Sequence, residues 1–153
     1  MDKALNNIEM QLDALKTKTK KEGTTGFITY YGLFASEGGQ SNWISDQINT
    51  DTLLTVNEYS SAAKVLACIG SNDGFNIILS LLRTPKTTAH LINECGFTDA
   101  KQVYHHLNLL LTADLIKKDE HNPGYYLIQP HRVQGIIMML AGIREMLNEM
   151  VDV

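Results

Sequence analysis

The chain has 153 residues and a formal net charge of −4, with 44% hydrophobic and 20% charged residues. This composition is typical of a globular protein that builds its own core, and it argues against an intrinsically disordered chain. No apolar stretch reaches the ~20 residues that a membrane-spanning helix needs. The polar residues 1–7 do not resemble a secretory leader, and two cysteines are too few for a disulfide framework. We therefore expect a cytoplasmic protein that does not act at a membrane.

Charge is distributed unevenly along the chain. Residues 83–132 carry six basic and five acidic side chains together with all five histidines, whereas the remainder carries seven basic and twelve acidic side chains. A net-acidic protein can still bind a polyanion through such a local patch, with modest and salt-dependent affinity. The composition therefore disfavours nucleic-acid binding over the whole protein surface, but residues 83–132 are suited to it.

The N-terminal residues 2–20 are predicted to form a helix, because apolar residues recur there at spacings of three and four. These residues are Leu5, Ile8, Leu12 and Leu15. A helix with a single apolar stripe needs a surface to cover that stripe. Two interpretations remain open, namely packing on its own domain and contact with a second copy of the chain.

A β-hairpin is predicted over residues 26–45, which are rich in β-branched and aromatic residues on either side of a turn at 36–40. This segment holds five of the eleven aromatic residues, namely Phe27, Tyr30, Tyr31, Phe34 and Trp43. One interpretation is a hydrophobic flap that covers the core. The other, motivated by aromatic density alone, is a platform that closes over a small apolar effector against the last helix.

Helical periodicity begins at residue 57 and predicts four helices with polar caps and Gly or Pro stops. The first is capped by Asn57 or Ser60, carries apolar residues between Ala62 and Ile69 and ends at Gly70, and the second is capped by Ser71 or Asn72 and stopped by Pro85. The third is a short helix over Thr88–Cys95, capped by Thr87 and ended by Gly96, and the fourth runs from Thr98 or Asp99 to about Ala113.

The period then switches to that of strands. Residues 115–120 and 125–128 are predicted as two strands joined by a turn at 121–124. A last helix is predicted over residues 131–150, with an apolar face broad enough to pack on its own core and on a partner.

This element order is that of a winged helix-turn-helix, in which a short helix braces a second helix that enters the major groove. The predicted fold is therefore mainly α (α+β), a winged helix-turn-helix with an N-terminal helix and hairpin and a long C-terminal helix. The expected organisation is an extension over residues 1–56, a DNA-binding domain over 57–130 and a dimerisation helix over 131–153.

A helical wheel identifies the candidate DNA-binding residues of the second helix. It places Ala100, Val103, Leu107 and Leu110 on the buried face. The opposite face offers an amide, a hydroxyl, an imidazole and an ammonium group, which suit base edges and phosphates. With two flanking side chains and two lysines on the first wing strand, the candidates are Thr98, Lys101, Gln102, Tyr104, His105, His106, Lys117 and Lys118.

The segment Val103-Tyr104-His105-His106-Leu107 and the residues around it resemble the ArsR-like winged-helix transcription regulators, and the resemblance covers residues 62–147. The stretch from Tyr126 to Val133 is similar to the entry to the last helix in a metal-free branch of that family, which also carries an N-terminal hairpin. The resemblance implies a homodimer on an inverted-repeat operator, acting as a repressor, with the first and last helices at the dimer interface.

Metal sensing is not expected, because the chain departs from the metal-binding members of this family. The brace helix has one cysteine, Cys95, where such sensors carry a Cys-x-Cys pair, and the last helix offers only His131 as a ligand. A tetrahedral zinc site needs about four ligands, which cannot be assembled here. We expect no metal and no cofactor.

Enzymatic activity is not expected either, since the chain has no Gly-rich phosphate loop, no paired acid–base carboxylates and no nucleophile elbow. The favoured function is a sequence-specific regulator that binds double-stranded DNA. The alternative is a winged-helix protein-interaction module or antirepressor without DNA binding, which the acidic balance and Asp99 near the start of the second helix support.

Overall fold

The computed structural model describes residues 2–147 as a mixed α+β chain, 60% helical with small antiparallel sheets. Two compact units are formed, residues 2–31 with 44–59, and residues 32–43 with 60–147. In chain order the elements are α1 (Asp2–Glu22), β1 (Phe27–Ile28), β2 (Tyr31–Ser36), β3 (Gly39–Ile44), β4 (Ile48–Asn49), α2 (Thr50–Leu53), a 3-10 turn (Val56–Glu58), α3 (Ala62–Gly70), α4 (Asn72–Arg83), β5 (Lys86–Thr87), α5 (Thr88–Cys95), α6 (Ala100–Thr112), β6 (Ile116–Lys118), β7 (Tyr125–Ile128), a 3-10 turn (Pro130–Arg132) and α7 (Val133–Met146).

The first unit joins α1 to the short antiparallel pair β1–β4, in which Phe27 faces Asn49. The Lys18 ammonium lies 4.6 Å from the centre of the Phe27 ring and donates a hydrogen bond of 2.7 Å to Gln47. The Asn49 side chain caps α2 by accepting from the backbone N–H of Asp51 at 2.9 Å. None of the residues of α1 is buried in the described chain, so its apolar stripe contributes little to a core.

The core of the second unit is made by α4, α5, α6, the sheet and the start of α7. Its fully buried side chains include Ile77, Ile78, Leu81, Leu91, Val103, Leu107, Leu110, Ile116, Ile128 and Val133. The predicted buried face of α6 is confirmed for Val103, Leu107 and Leu110. The prediction was wrong for Ala100, which is exposed because it is the first residue of α6, and the buried face begins one turn later.

The helix boundaries follow the predicted caps closely. The Ser71 hydroxyl accepts from the N–H of Gly74 at 2.9 Å to begin α4, and the Asp99 carboxylate accepts from the N–H of Gln102 at 3.0 Å to begin α6. Gly96 ends α5 in the left-handed conformation at φ +73°. This region of backbone is open to glycine without a steric penalty, and the predicted break is confirmed.

The short helix α5 begins with a reciprocal cap. The Thr87 hydroxyl accepts from the N–H of His90, and the Nδ1 of His90 accepts from the N–H of Thr87, each at 3.2 Å. By contrast, Ser61 occupies the cap position of α3, and its side chain makes no capping hydrogen bond. The sequence had offered Asn57 or Ser60 for that position, and neither is the cap.

The sheet of the second unit has the strand order β5-β7-β6 with both pairs antiparallel. Lys86 faces Tyr126 in one pair, and Ile116 faces Ile128 in the other. The strand predicted over residues 115–120 is shorter, because the Asp119 carboxylate accepts from the N–H of His121 at 2.9 Å and begins the turn there. The returning strand has its predicted bounds.

The N-terminal hairpin differs from its prediction, since the strands are Tyr31–Ser36 and Gly39–Ile44 and residues 27–28 pair with 48–49 instead. Its turn is fixed to the end of α4. The N–H of Gly38 donates to the carbonyl of Arg83 at 3.1 Å, and a Cβ at Gly38 would clash with the Leu81 carbonyl oxygen. Only glycine permits this approach, which joins the hairpin turn to α4 within the second unit.

The last helix is shorter than predicted, because a 3-10 turn at Pro130–Arg132 precedes it and Leu147 ends it. Residues 148–150 of the predicted helix lie outside the described residues. The short helix Thr50–Leu53 was not predicted, since four residues are too few to show a period.

Candidate nucleic-acid interface

The short helix α5 is held in place by an ion pair and by the burial of its Leu91. The Lys86 ammonium lies 2.5 Å from Oε1 of Glu94, and the Ser80 hydroxyl donates to Oε2 of the same carboxylate at 2.7 Å. The Lys86 ammonium holds the pKa of Glu94 below its ordinary value. This contact ties α5 to α4 and β5, so α6 is packed against a fixed brace.

The outward face of α6 carries the predicted polar side chains. Lys101, Gln102 and His105 are exposed, as is Thr98 just before the helix. Tyr104, at 48% exposure, lies beside them. The structure therefore brings five of the eight candidates to one accessible side of the second unit.

Two of these candidates are engaged with each other. The Thr98 hydroxyl donates to Oε1 of Gln102 at 2.9 Å, and the N–H of Thr98 donates to the same oxygen at 3.3 Å. Glutamine reads adenine through both its oxygen and its amide nitrogen. In this state only the amide nitrogen of Gln102 is available, so a bidentate base contact requires these two bonds to break.

The His106 side chain does not lie on the exposed face of α6. It is 18% exposed, and its Nε2 lies 3.4 Å from an oxygen of Asp73 on α4. Its ring lies 6.0 Å from that of Phe97 and 5.2 Å from that of the exposed His105. The geometry gives His106 a packing role between α4 and α6.

The two wing lysines lie on opposite faces of β6, as adjacent strand residues must. Lys117 is half-buried and Lys118 is exposed. The turn that follows is acidic, because hydrogen bonds from the His121 N–H and the Asn122 amide lower the pKa of Asp119, and Glu120 is exposed beside it. Of the two lysine candidates on β6, Lys118 is the more exposed.

Sequence reasoning missed Asn108, which is exposed on α6. The same helical wheel would have found it, since it falls at about 140° from Val103 and between Tyr104 and Lys101. Within residues 2–147 its side-chain amide has no hydrogen-bond partner, so both its oxygen and its nitrogen are available. Asparagine can pair with both groups of an adenine edge, which makes Asn108 a stronger candidate for that contact than Gln102.

Asp114 connects the end of α6 to the start of α7. It adopts the left-handed conformation at φ +60°, which aspartate tolerates better than most residues. Its carboxylate accepts from the Gln129 amide at 2.8 Å and from the Arg132 guanidinium at 3.0 Å, and it lies 3.1 Å from Nε2 of His131. The Arg132 guanidinium is the main cause that lowers the pKa of Asp114.

Both cysteines are free thiols, and burial raises the pKa of Cys68 and of Cys95. In the part of the chain that the structure describes, no group of three or more His, Cys, Asp or Glu side chains is placed to hold a metal ion.

Comparison of the chain with protein families, curated proteins and solved structures found no match. Among residues 2–147 no single helix has the length and apolar character to cross a membrane. The pair α3 and α4 meets that criterion only when the two helices are joined across a 90° bend.

Proposed function

We propose that the protein is a homodimeric regulator that binds double-stranded DNA sequence-specifically and catalyses no reaction. The observation that supports this proposal is the chain order of α5, Gly96 and α6 together with the three-stranded sheet β5-β7-β6, an element order that fits a winged helix-turn-helix. In this proposal α6 enters the major groove, and the β6–β7 hairpin lies along the phosphates.

The charges near α6 fit a modest, salt-sensitive interaction. Lys101 and Lys118 supply exposed cations, while the centre of the outward face of α6 has no carboxylate. Asp99 lies at the N-terminal end of α6, where its carboxylate caps the helix. Each phosphate neutralised by a lysine releases counterions, so affinity falls as salt rises.

The dimer is supported by apolar surface that the described chain leaves uncovered. Leu5, Ile8 and Leu12 of α1 are each more than 50% exposed, and Met146 at the end of α7 is 75% exposed. Charge along α1 favours an antiparallel pairing, since residues 2–13 carry a net charge of −2 and residues 14–22 one of +3. Two antiparallel copies of α1 would place each acidic half beside a basic half.

The DNA-binding proposal is tested by fluorescence anisotropy with random duplex DNA over a salt series, followed by selection of bound sequences from a random pool. We expect binding at low salt and a palindromic selected site. Lys101→Ala, His105→Ala and Asn108→Ala should each weaken binding to the selected site without lowering the melting temperature. A base contact is worth ~1–3 kcal/mol of discrimination.

Lys64→Ala is the matched control, because Lys64 is an exposed lysine on α3 that lines a groove with Leu109 and Thr112 and with none of the three tested residues. Wild-type affinity in all three α6 variants would overturn the assignment of α6. No binding to any duplex at low salt would favour the alternative, a protein-interaction module, which the acidic wing turn and the engaged Gln102 side chain support.

The dimer is tested separately by sedimentation equilibrium. Ile8→Lys places a charge in the exposed apolar stripe and should shift the protein to monomer. Asn7→Lys adds the same charge at the neighbouring position outside the stripe and should leave the dimer intact. A wild-type protein that sediments as a monomer at all concentrations would contradict this part of the proposal.

A further inference from the structure

A cavity of about 370 Å³ lies in the second unit between α3 and α7. Its walls are apolar, with Val65 and Ile69 on the α3 side, Ile136 and Met139 on the α7 side, and Leu115 between them. This volume is near the lower end of the range for small-molecule sites, about 300–1,000 Å³, which are mostly apolar with a few polar groups that orient the ligand.

The polar side chains that line this cavity favour an anion. His131 and Arg132 both line it, and so does Ser61 at the start of α3. The Ser61 hydroxyl makes no capping bond, so it is available as a donor. Within the described residues, Nη1 of Arg132 has no hydrogen-bond partner, since the contacts with Asp114 use Nε and Nη2.

These donors already hold one carboxylate. Nη2 of Arg132 and Nε2 of His131 lie 3.0 and 3.1 Å from the same oxygen of Asp114. A second carboxylate at the mouth of the cavity would meet the same chemistry and would compete with Asp114 for it. Charge-assisted hydrogen bonds of this kind are stronger than neutral ones.

We propose that the cavity between α3 and α7 binds a small apolar monocarboxylate, with its hydrocarbon body against Val65 and Met139 and its carboxylate on His131 and Arg132. Binding draws these two side chains away from Asp114, which connects the end of α6 to the start of α7. The ligand thereby regulates the helix assigned to DNA. This regulatory consequence rests on the proposed function, whereas the binding site does not.

This site differs from the effector site expected from the sequence, which lay between the aromatic hairpin and the last helix. The cavity beside α7 is lined by α3 and the α6–β6 turn, and none of the five hairpin aromatics contributes to it. The hairpin instead contacts the start of α7 through its turn, where a Cβ at Gly39 would lie 2.9 Å from Val133.

The test is a titration of the ¹⁵N-labelled full chain with octanoate, followed by amide chemical shifts. We expect saturable shifts centred on Val65, Ala113 and Gly135, and weaker binding of 1-octanol, which has the same chain length without the charge. Gly135 lines the cavity, and a Cβ there would meet no atom within 4 Å apart from the neighbouring helix backbone, so Gly135→Leu adds a side chain at the cavity wall. It should weaken octanoate binding about tenfold or more.

Gly142→Leu is the matched control, since it makes the same change in α7 at a position outside the cavity that is equally open. It should bind octanoate as the wild type does, and Asp114→Asn should bind it more tightly because the competing carboxylate is gone. Equal binding by Gly135→Leu and Gly142→Leu, or equal binding of octanol and octanoate, would overturn the proposal. The proposal would also be overturned if the amide chemical shifts at the cavity changed with protein dilution but not with octanoate, because a second copy of the chain would then cover the cavity.

A DNA arm separates this inference from the proposed function. Octanoate binding with a changed affinity for the selected duplex supports both. Octanoate binding by a protein that binds no duplex supports the site and refutes the DNA proposal. Duplex binding without any octanoate response refutes the site alone.

Discussion

Two helices of this chain, α1 and α6, have the same kind of apolar spacing and opposite environments. Val103, Leu107 and Leu110 of α6 are at most 1% exposed, whereas Leu5 and Ile8 of α1 are each 53% exposed. Periodicity predicts that a helix has an apolar face, but it does not say which surface covers that face. In α6 the cover is α4 and α5, and for α1 we propose a second copy of the chain.

The largest effect is expected for Leu107→Ala, which should lower the free energy of unfolding by ~2–5 kcal/mol because it leaves a cavity in the core. Leu12→Ala removes the same atoms from a side chain that is 51% exposed and should cost far less in the monomer. Urea unfolding followed by circular dichroism at low protein concentration measures both.

Leu109→Ala is a control within α6, because Leu109 is 44% exposed. It should resemble Leu12→Ala. If Leu12→Ala costs as much as Leu107→Ala in dilute protein, α1 is covered by its own chain and the contrast between the two helices fails. If its cost grows with protein concentration, the cover is a second copy.

Gly38→Ala is expected to destabilise the protein by ~1–3 kcal/mol, since the added Cβ would meet the backbone of α4 and force it to shift. Gly142→Ala is the matched substitution in an open helical position and should stabilise by up to ~1 kcal/mol. Thermal unfolding of these two variants tests whether the hairpin turn packs against the core, as α6 does. A neutral Gly38→Ala would place the hairpin with the uncovered surfaces instead.

The caps provide a smaller and equally paired test. Asp99→Ala removes the hydrogen bond to Gln102 at the start of α6 and should cost ~1 kcal/mol. Ser61→Ala changes the cap position of α3, where no such bond exists, and should cost only a few tenths of a kcal/mol. Equal costs, measured by urea unfolding, would show that α6 does not depend on its cap.

The sequence predicted most of the second unit because its local rules agree with one another. Thr87, Gly96 and Asp99 occupy the positions that cap or stop a helix, and the apolar spacing between them points to the same core. The bounds of α5 and β7 are those predicted. Local chemistry determines such features, so they can be read without knowing the tertiary contacts.

The remaining features depend on contacts between segments far apart in sequence. The close approach of Gly38 to Leu81 and the pairing of Phe27 with Asn49 leave no local pattern. The candidate site likewise has features that the local sequence predicts and features that depend on specific side-chain contacts. The wheel correctly placed Lys101 and His105 outward, but it could not show that Gln102 bonds to Thr98 or that His106 contacts Asp73.

The smallest effect concerns Asp114, where α6 and α7 meet. Its folded-state pKa is lowered, chiefly by the Arg132 guanidinium, from an ordinary value of 3.8. The carboxylate therefore stabilises the fold above that value, and this contribution is lost as pH falls through the lower folded-state pKa. Asp114→Asn should be less stable than the wild type at pH 7, and the difference should shrink towards pH 2.

Asparagine has nearly the same shape as aspartate and also tolerates the left-handed backbone at φ +60°. This substitution therefore removes the charge of the side chain without changing its fit to the backbone. Asp46→Asn is the control, because Asp46 is exposed and has no hydrogen-bond or ion-pair partner among residues 2–147. Urea unfolding at pH 7, 4 and 2 gives the profile of each variant. If the difference between the wild type and Asp114→Asn stays constant with pH, the Asp114 carboxylate does not stabilise the junction between α6 and α7 through its charge. The contrast with α1 would then rest on burial alone.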